Sequence, residues 1–363
     1  MLNSLLSQDL PRSKVLSALL LIILVGLLVT PFLFPGARSL NVGAKIAVFI
    51  LLGASFDLLL GYTGIVSFAH TMFFGVGAYG IGIASTQMGP TWTAMAVGSV
   101  AAILLSTLLA LLISLFSLRV RAIFFAMITL AVAAAFMTMA SQLSDWTGGE
   151  DGLNFKVPEV ISPAFSLSDE KFLGANLDGK LIAYYLVLSV SGGLFLLLLR
   201  IVNSPFGRVL MAIRDNDFRS EAIGYRNVTY RSLSSVLAAL FATAAGILYA
   251  LWLRYNGPGT TLSFDIMIDV LLIVVIGGMG TLYGAVIGSA VFNIAQGYLQ
   301  DLLKLAHGNI DTLPVVGALF HPDRWLFWLG LLFVLSVYFF PFGIVGKLRT
   351  AALAKKPASL GGS

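Results

Sequence analysis

From Leu58 to Leu118 the chain runs 61 residues without one Asp, Glu, Lys or Arg. A soluble core has no use for an uncharged segment of that length. A bilayer takes about 20 apolar residues per helical crossing, so the run is enough for roughly three. Further uncharged stretches are Val15–Ala37, Ala122–Ser144, Leu181–Leu199, Ser232–Leu253, Val270–Gln300 and Trp325–Gly346. Lipid offers the backbone no hydrogen bonds, so each stretch must satisfy its own as a helix. With 58% hydrophobic and 11% charged residues, the chain reads as an all-α polytopic membrane protein.

Segmentation gives about ten crossings, near 15–34, 42–60, 68–88, 92–117, 122–143, 181–201, 231–253, 264–277, 281–300 and 325–345. Arg12 and Lys14 ahead of the first resemble a signal peptide, but the apolar run is long and has no small-x-small cleavage site. It reads as a retained helix. Placing both termini inside puts 14 of the 22 Lys and Arg on the inner side, as the positive-inside rule requires. They are Arg12, Lys14, Arg119, Arg121, Arg200, Arg208, Arg214, Arg219, Arg226, Arg231, Lys347, Arg349, Lys355 and Lys356. Trp92, Trp146, Trp252, Trp325 and Trp328 all fall at outer helix ends, where an interfacial belt would put them. The net charge of +5 is therefore a matter of topology and gives no reason to expect nucleic acid.

Residues 145–180 then form an acidic outer loop, and 203–231 the largest inner loop. The outer loop divides the chain into two halves of five crossings with opposite orientation, an arrangement that places a solute path at the repeat interface. The permease-like domain runs over 1–345, with 346–363 as a cytoplasmic tail.

Two places interrupt the apolar pattern. "GYTGIVSFAHTMFFGVGAYG" (61–80) and "IGGMGTLYGAVIG" (276–288) each carry five glycines. Such clusters either let helices approach closely or leave unwound backbone beside a cavity. The candidates for a solute path are Gly61, Gly64, Ser67, His70, Gly75, Gly77, Gly277, Gly278, Gly280 and Gly284, together with Asp269. His70 is either a hydrogen-bonded structural residue at a helix break or a path residue. Asp57 lies near an inner end and Asp265 near the interface, whereas Asp269 is deeper and needs a partner or a wet cavity. A pairing of His70 with Asp269 is conceivable. Lys45 sits close to an outer end, where it can snorkel, and receives no role.

Charge is concentrated in one inner segment. Between Arg208 and Arg231 lie Arg214, Asp215, Asp217, Arg219, Glu221 and Arg226. "SPFG" (204–207) signals a turn, Met211, Phe218, Ala222 and Tyr225 form a narrow apolar stripe, Asp217 can cap and Gly224 stops the helix. The expectation is an amphipathic helix of about two turns. It rests on lipid or docks a cytoplasmic partner, and its mixed charge favours docking.

No GxxxxGK[ST] run is present, so ATP has no P-loop here; "SVSGG" (189–193) lies inside an apolar helix. The absence of Cys rules out disulfides and thiol chemistry. His70, His307 and His321 are far apart in the topology and no HExxH occurs, which makes a metal enzyme improbable. No catalytic residue and no cofactor is assigned to the chain.

Four motifs carry a resemblance. "EAIG" (221–224), preceded by "AIRDND", resembles the EAA-type coupling motif of ABC importer permeases. Residues 61–80 resemble the "GYxGxxSxGHxxFFGxGAY" signature of the branched-chain amino acid and urea permease family. "TGGEDGLN" (147–154) and "VIGGMGTLYGAVIG" (275–288) are similar to that family's "TGGxxGL" and "GGxGSxxGxxxG" segments. The chain departs from these patterns at Ala69, Thr71, Met72 and Thr281. Length and an extra first helix resemble the longer partner of the family's permease pair.

The resemblance implies the permease subunit of an importer for branched-chain or related amino acids, or for urea or short amides. Two separate ATPase subunits would hold ATP and magnesium and meet Arg214, Asp215, Asp217, Arg219, Glu221, Ala222 and Gly224. A second permease in a heterodimer, an extracytoplasmic solute-binding protein and the bacterial inner membrane are the other implied partners. An ion-coupled secondary transporter is the rival class; it too uses inverted repeats but needs no coupling helix. A passive channel is a third.

Overall fold

The computed structural model describes residues 13–34, 36–117, 122–166, 177–310, 321–340 and 342–354. Arg12, Arg119, Arg121, Lys355 and Lys356, used above for topology, lie outside these residues, as does part of the outer loop 145–180. The helices are α1 (Lys14–Leu33), α2 (Ala37–Asp57), α3 (His70–Met88), α4 (Trp92–Ser117), α5 (Ala122–Gln142) and α6 (Gly179–Val202). Two inner helices follow, α7 (Pro205–Asp215) and α8 (Asp217–Ala222), then α9 (Asn227–Leu253), α10 (Phe264–Gly277), α11 (Leu282–Ile310), α12 (Trp325–Phe339) and α13 (Gly343–Ala354).

Nine segments among the described residues are long and apolar enough to span a bilayer. The third expected crossing, α3, is a helix but is not among them. Four glycines, His70 and four hydroxyl side chains dilute it. Packed among α4, α5 and α9, it meets other helices where a lipid-facing helix would meet acyl chains. At about 1.5 Å per residue its 19 residues reach ~28 Å, close to a hydrocarbon core. Centrality separates the others: 83% of the apolar window in and beyond α2 is buried, against 17% for α1.

The contacts repeat between halves. α2 and α9 pack on each other, α3–α4 corresponds to α10–α11, α4–α9 to α11–α2, and α3–α5 to α10–α12. The same set of helix contacts thus recurs in the two halves, as an internal repeat would have it, with α2 and α9 in corresponding positions. Even the polar bonds follow it. Thr243 on α9 donates to Ser106 on α4 at 2.7 Å, and Ser289 on α11 donates to the Ile46 carbonyl of α2 at 3.0 Å.

Small residues make α3 and α9 neighbours. A Cβ on Gly77 would run into the Thr243 carbonyl, and one on Gly246 into the Phe74 carbonyl. Gly75 faces the Leu262 side chain, and Gly277 meets the backbone of Gly284. Gly75, Gly77, Gly277 and Gly284 thus each sit where a neighbouring chain segment approaches closely.

Two features show how lipid-embedded polar groups are satisfied. Pro31 in α1 has no N–H to give the Leu27 carbonyl, and the Tyr184 hydroxyl of α6 donates to that carbonyl at 2.7 Å. On the outer side, the "TGGEDGLN" segment closes the first half onto the second. Its strand β1 (Leu153–Asn154) pairs antiparallel with β2 (Tyr255–Asn256), which follows α9. Thr147 donates to the Ala140 carbonyl at 2.6 Å, fixing the segment to the end of α5. Trp252 corrects the belt reading: it is buried against Tyr184, their centroids 6.1 Å apart.

Candidate functional site

Two helix breaks and the charged inner segment meet at one place. α2 does not end in a clean cap; it continues as a π-helical turn, Leu58–Thr63, and then as irregular backbone to Ala69. Such turns widen the helix and free carbonyls from their usual donors. Here the Leu59 carbonyl accepts from the Gly64 and Ile65 N–H groups, and the Thr63 hydroxyl donates to it as well at 2.6 Å. Gly64 closes the turn with φ of 71°, a left-handed conformation that suits glycine. The second break, between α10 and α11, uses Gly278 and Gly280 at φ of 116° and 76°.

Asp57 joins the two. It is 1% exposed, and its Oδ1 accepts from the Gly280 N–H at 2.8 Å. Among the described residues its Oδ2 has no hydrogen-bond partner. The nearest cation among the described residues is Arg214 of α7, whose guanidinium forms its ion pair with Asp215 at 3.3 Å and not with Asp57. Arg214 Nη1 donates to the Gly61 carbonyl in the π turn, and its aliphatic stem lies over Gly64. Gly61 is obligatory here: a Cβ would enter the space of Asp57 and the Gly280 backbone.

The segment that delivers Arg214 differs from the expected single helix. Pro205 opens α7 at its first position, a place that suits proline's missing N–H, so "SPFG" starts a helix as well as ending one. α7 buries Leu210 and Ile213. Asn216 then adopts an extended conformation, and its side chain caps α8 by accepting from the Arg219 N–H at 2.9 Å. This corrects the assignment of the cap to Asp217. It also corrects the stripe, because the extended residue resets the helical phase between Met211 and Phe218.

Asp217 has another task. Asn227 Nδ2 donates to its carbonyl at 2.8 Å and to its carboxylate at 2.9 Å, and Arg231 pairs with the carboxylate at 2.8 Å. Ser220 donates to Asn227 Oδ1 at 2.9 Å. α8 is thus stapled to the start of α9. Its outer face is left to solvent: Asp215, Arg219, Glu221, Ala222 and Gly224 are exposed, with Phe218 at 86% and Ile223 at 68%. Gly224, at φ of 98°, turns the chain out of the helix.

Of the path candidates, Gly61, Gly64, Gly278 and Gly280 converge on this junction with the charged segment. Ser67 is buried just beyond it. His70 sits 2.8 Å from the Ser55 hydroxyl with its ring edge-on to Phe56, sealed in the core. The conceivable His70–Asp269 pairing is not formed. Asp269 instead accepts from Gln296, and Lys45 donates to the same Gln296, reaching into the protein where snorkelling had been expected. Sequence reading missed Asn216, Asn227 and Lys45 as participants. The only available signal for Asn216 was its place just before a charged helical stretch. Among the described residues no group of three His, Asp or Glu could hold a metal ion.

Nine spanning segments among the described residues, with both glycine breaks tied through Asp57 and Arg214 to the charged segment, define a multi-pass membrane protein of the permease class. A family model described as "Branched-chain amino acid transport system / permease component" matches residues 39–337. The chain belongs to this family. It is 23% identical to the high-affinity branched-chain amino acid transport system permease protein LivM of Salmonella typhimurium, over 78% of this chain and 69% of that protein. The Escherichia coli LivM is likewise 23% identical, over 83% and 73% respectively. The probable branched-chain amino acid transport permease LivM of Methanocaldococcus jannaschii is 23% identical over 87% of this chain and 96% of that protein. No solved structure matches the chain.

Proposed function

We propose that the chain is the membrane subunit of an ATP-driven importer that carries branched-chain or related amino acids into the cell. ATP and magnesium are held by two cytoplasmic ATPase subunits. Their closure on ATP pushes α8, and α7 passes the movement through Arg214 to both glycine breaks. A second permease subunit completes the path, a soluble binding protein delivers solute at the outer loop, and both termini lie on the cytoplasmic side of the inner membrane. The observation that carries this reading is the stapled α8, presenting Phe218 and Ile223 beside Glu221 to solvent. Exposed apolar side chains on a rigid, charged helix mark a protein-docking surface. A docked subunit shifts the inward–outward equilibrium only by its differential interaction with the two states, and a rigid staple lets it do so.

The test is a mild-detergent pull-down of tagged protein from its native host, with Glu221→Arg alongside. Wild type is expected to bring down ATPases with Walker motifs, and the folded variant to lose them. Wild type that retrieves no ATPase in several detergents would return the ion-coupled transporter to first place. Relatives named for branched-chain amino acid transport favour that solute class over urea or short amides.

A further inference from the structure

Away from the cytoplasmic junction, a second polar cluster lies within the spanning helices. Lys45 of α2, Gln296 of α11 and Asp269 of α10 form a chain of side chains. Lys45 Nζ donates to Gln296 Oε1 at 2.6 Å, and Gln296 Nε2 donates to Asp269 Oδ2 at 3.5 Å. The Lys45 ammonium also stands 5.1 Å from the centre of the Phe49 ring. Lys45 is eight residues into α2, about 12 Å from its outer end at 1.5 Å per residue. All three side chains are half-buried, so the cluster is reachable from the protein surface.

Two full charges at this depth are costly, and a direct ion pair would relieve both. The protein does not make that pair; a neutral amide stands between cation and anion. Each charge is therefore incompletely neutralised, and the two are separated by the span of one small polar group. A solute that carries a carboxylate and an ammonium on one carbon satisfies both at once. A neutral amide offers no more than the Gln296 amide already provides to both groups, and a simple anion leaves Asp269 unpaired. The geometry points to Lys45, Gln296 and Asp269 as a recognition point for zwitterionic α-amino acids on the solute path. Lys45 meets the carboxylate, Asp269 the ammonium, and Gln296 bridges. This inference rests on the reading that the chain moves amino acids.

The competing role is helix glue, and the two roles separate in a double variant. Removing both partners of a buried charge pair is near neutral for folding, whereas removing one is not. The intact transporter, with its partner subunits and binding protein, is reconstituted into liposomes as wild type and as Lys45→Met with Asp269→Met. Recognition predicts a double variant that assembles and hydrolyses ATP but takes up leucine about tenfold or more slowly, as loss of charge-assisted contacts implies. Leucine uptake at the wild-type rate overturns the proposal. Should the double variant not assemble, Gln296→Leu carries the test: a loss of similar size supports recognition, and unchanged uptake overturns it. Wild-type liposomes are scored first. If they transport no amino acid, the proposed function fails, an outcome separate from any result with the variants.

Discussion

Arg214 shows how much one side chain can connect. It leaves a surface helix, reaches the Gly61 carbonyl 153 residues earlier in sequence, and places its charge beside Asp57. Arg214→Gln keeps Glu221 and the exposed face of α8, so ATPase binding is expected to persist. A hydrogen bond from a charged group is worth about 1.5–3 kcal/mol, so uptake per ATP hydrolysed should fall by roughly ten- to a hundredfold. Parallel uptake and hydrolysis assays in liposomes check this; equal loss of both would mean Arg214 serves assembly. Gly61→Ala is a different case. Its added methyl has nowhere to go between Asp57 and Gly280, and such overpacking costs about 1–3 kcal/mol. A lower unfolding temperature in detergent is the expected result.

At the scale of elements, α8 moves with the start of α9 because the two are tied together. Asn227 makes the fixing bonds from the first residue of α9 to Asp217 and Ser220. Asn227→Ala leaves these groups unsatisfied at a cost of about 1–3 kcal/mol. Faster amide hydrogen exchange across 216–226 and weaker ATPase retrieval should follow, with the membrane helices unchanged. Unaltered exchange there would show that Arg231 and Asp217 suffice. The sequence identified this segment by its charge, and correctly placed Gly224 at its end. It did not reveal the break at Asn216, since one extended residue leaves composition unaltered while shifting every later side chain around the helix.

For the whole molecule, the internal repeat makes a quantitative claim. The Thr243–Ser106 and Ser289–Ile46 bonds occupy corresponding places, α9 on α4 and α11 on α2. Thr243→Val and Ser289→Ala should each reduce stability by a similar amount, about 0.6 kcal/mol and at most ~1.7, as interhelical hydrogen bonds in membranes do. Denaturation in mixed micelles measures both. A large effect at one site and none at the other would show that the halves carry load unequally.

By itself the sequence determined where the chain crosses the bilayer, where it turns, and which inner loop is charged. Those properties follow from hydropathy and charge summed over a local window, and transfer into lipid responds to that sum. It also announced both glycine breaks. Only the tertiary structure decided what the glycines do: Gly77 and Gly246 bring backbones together, whereas Gly61 and Gly280 make room for Asp57 and Arg214. It also decided which ionisable groups meet. Lys45 and Gln296 are 251 residues apart, and each lies on a helix that is apolar around most of its surface. With so weak an amphipathic pattern, the sequence does not record how far each helix is rotated about its axis. Packing against neighbouring helices sets that rotation, and with it the position of every buried charge.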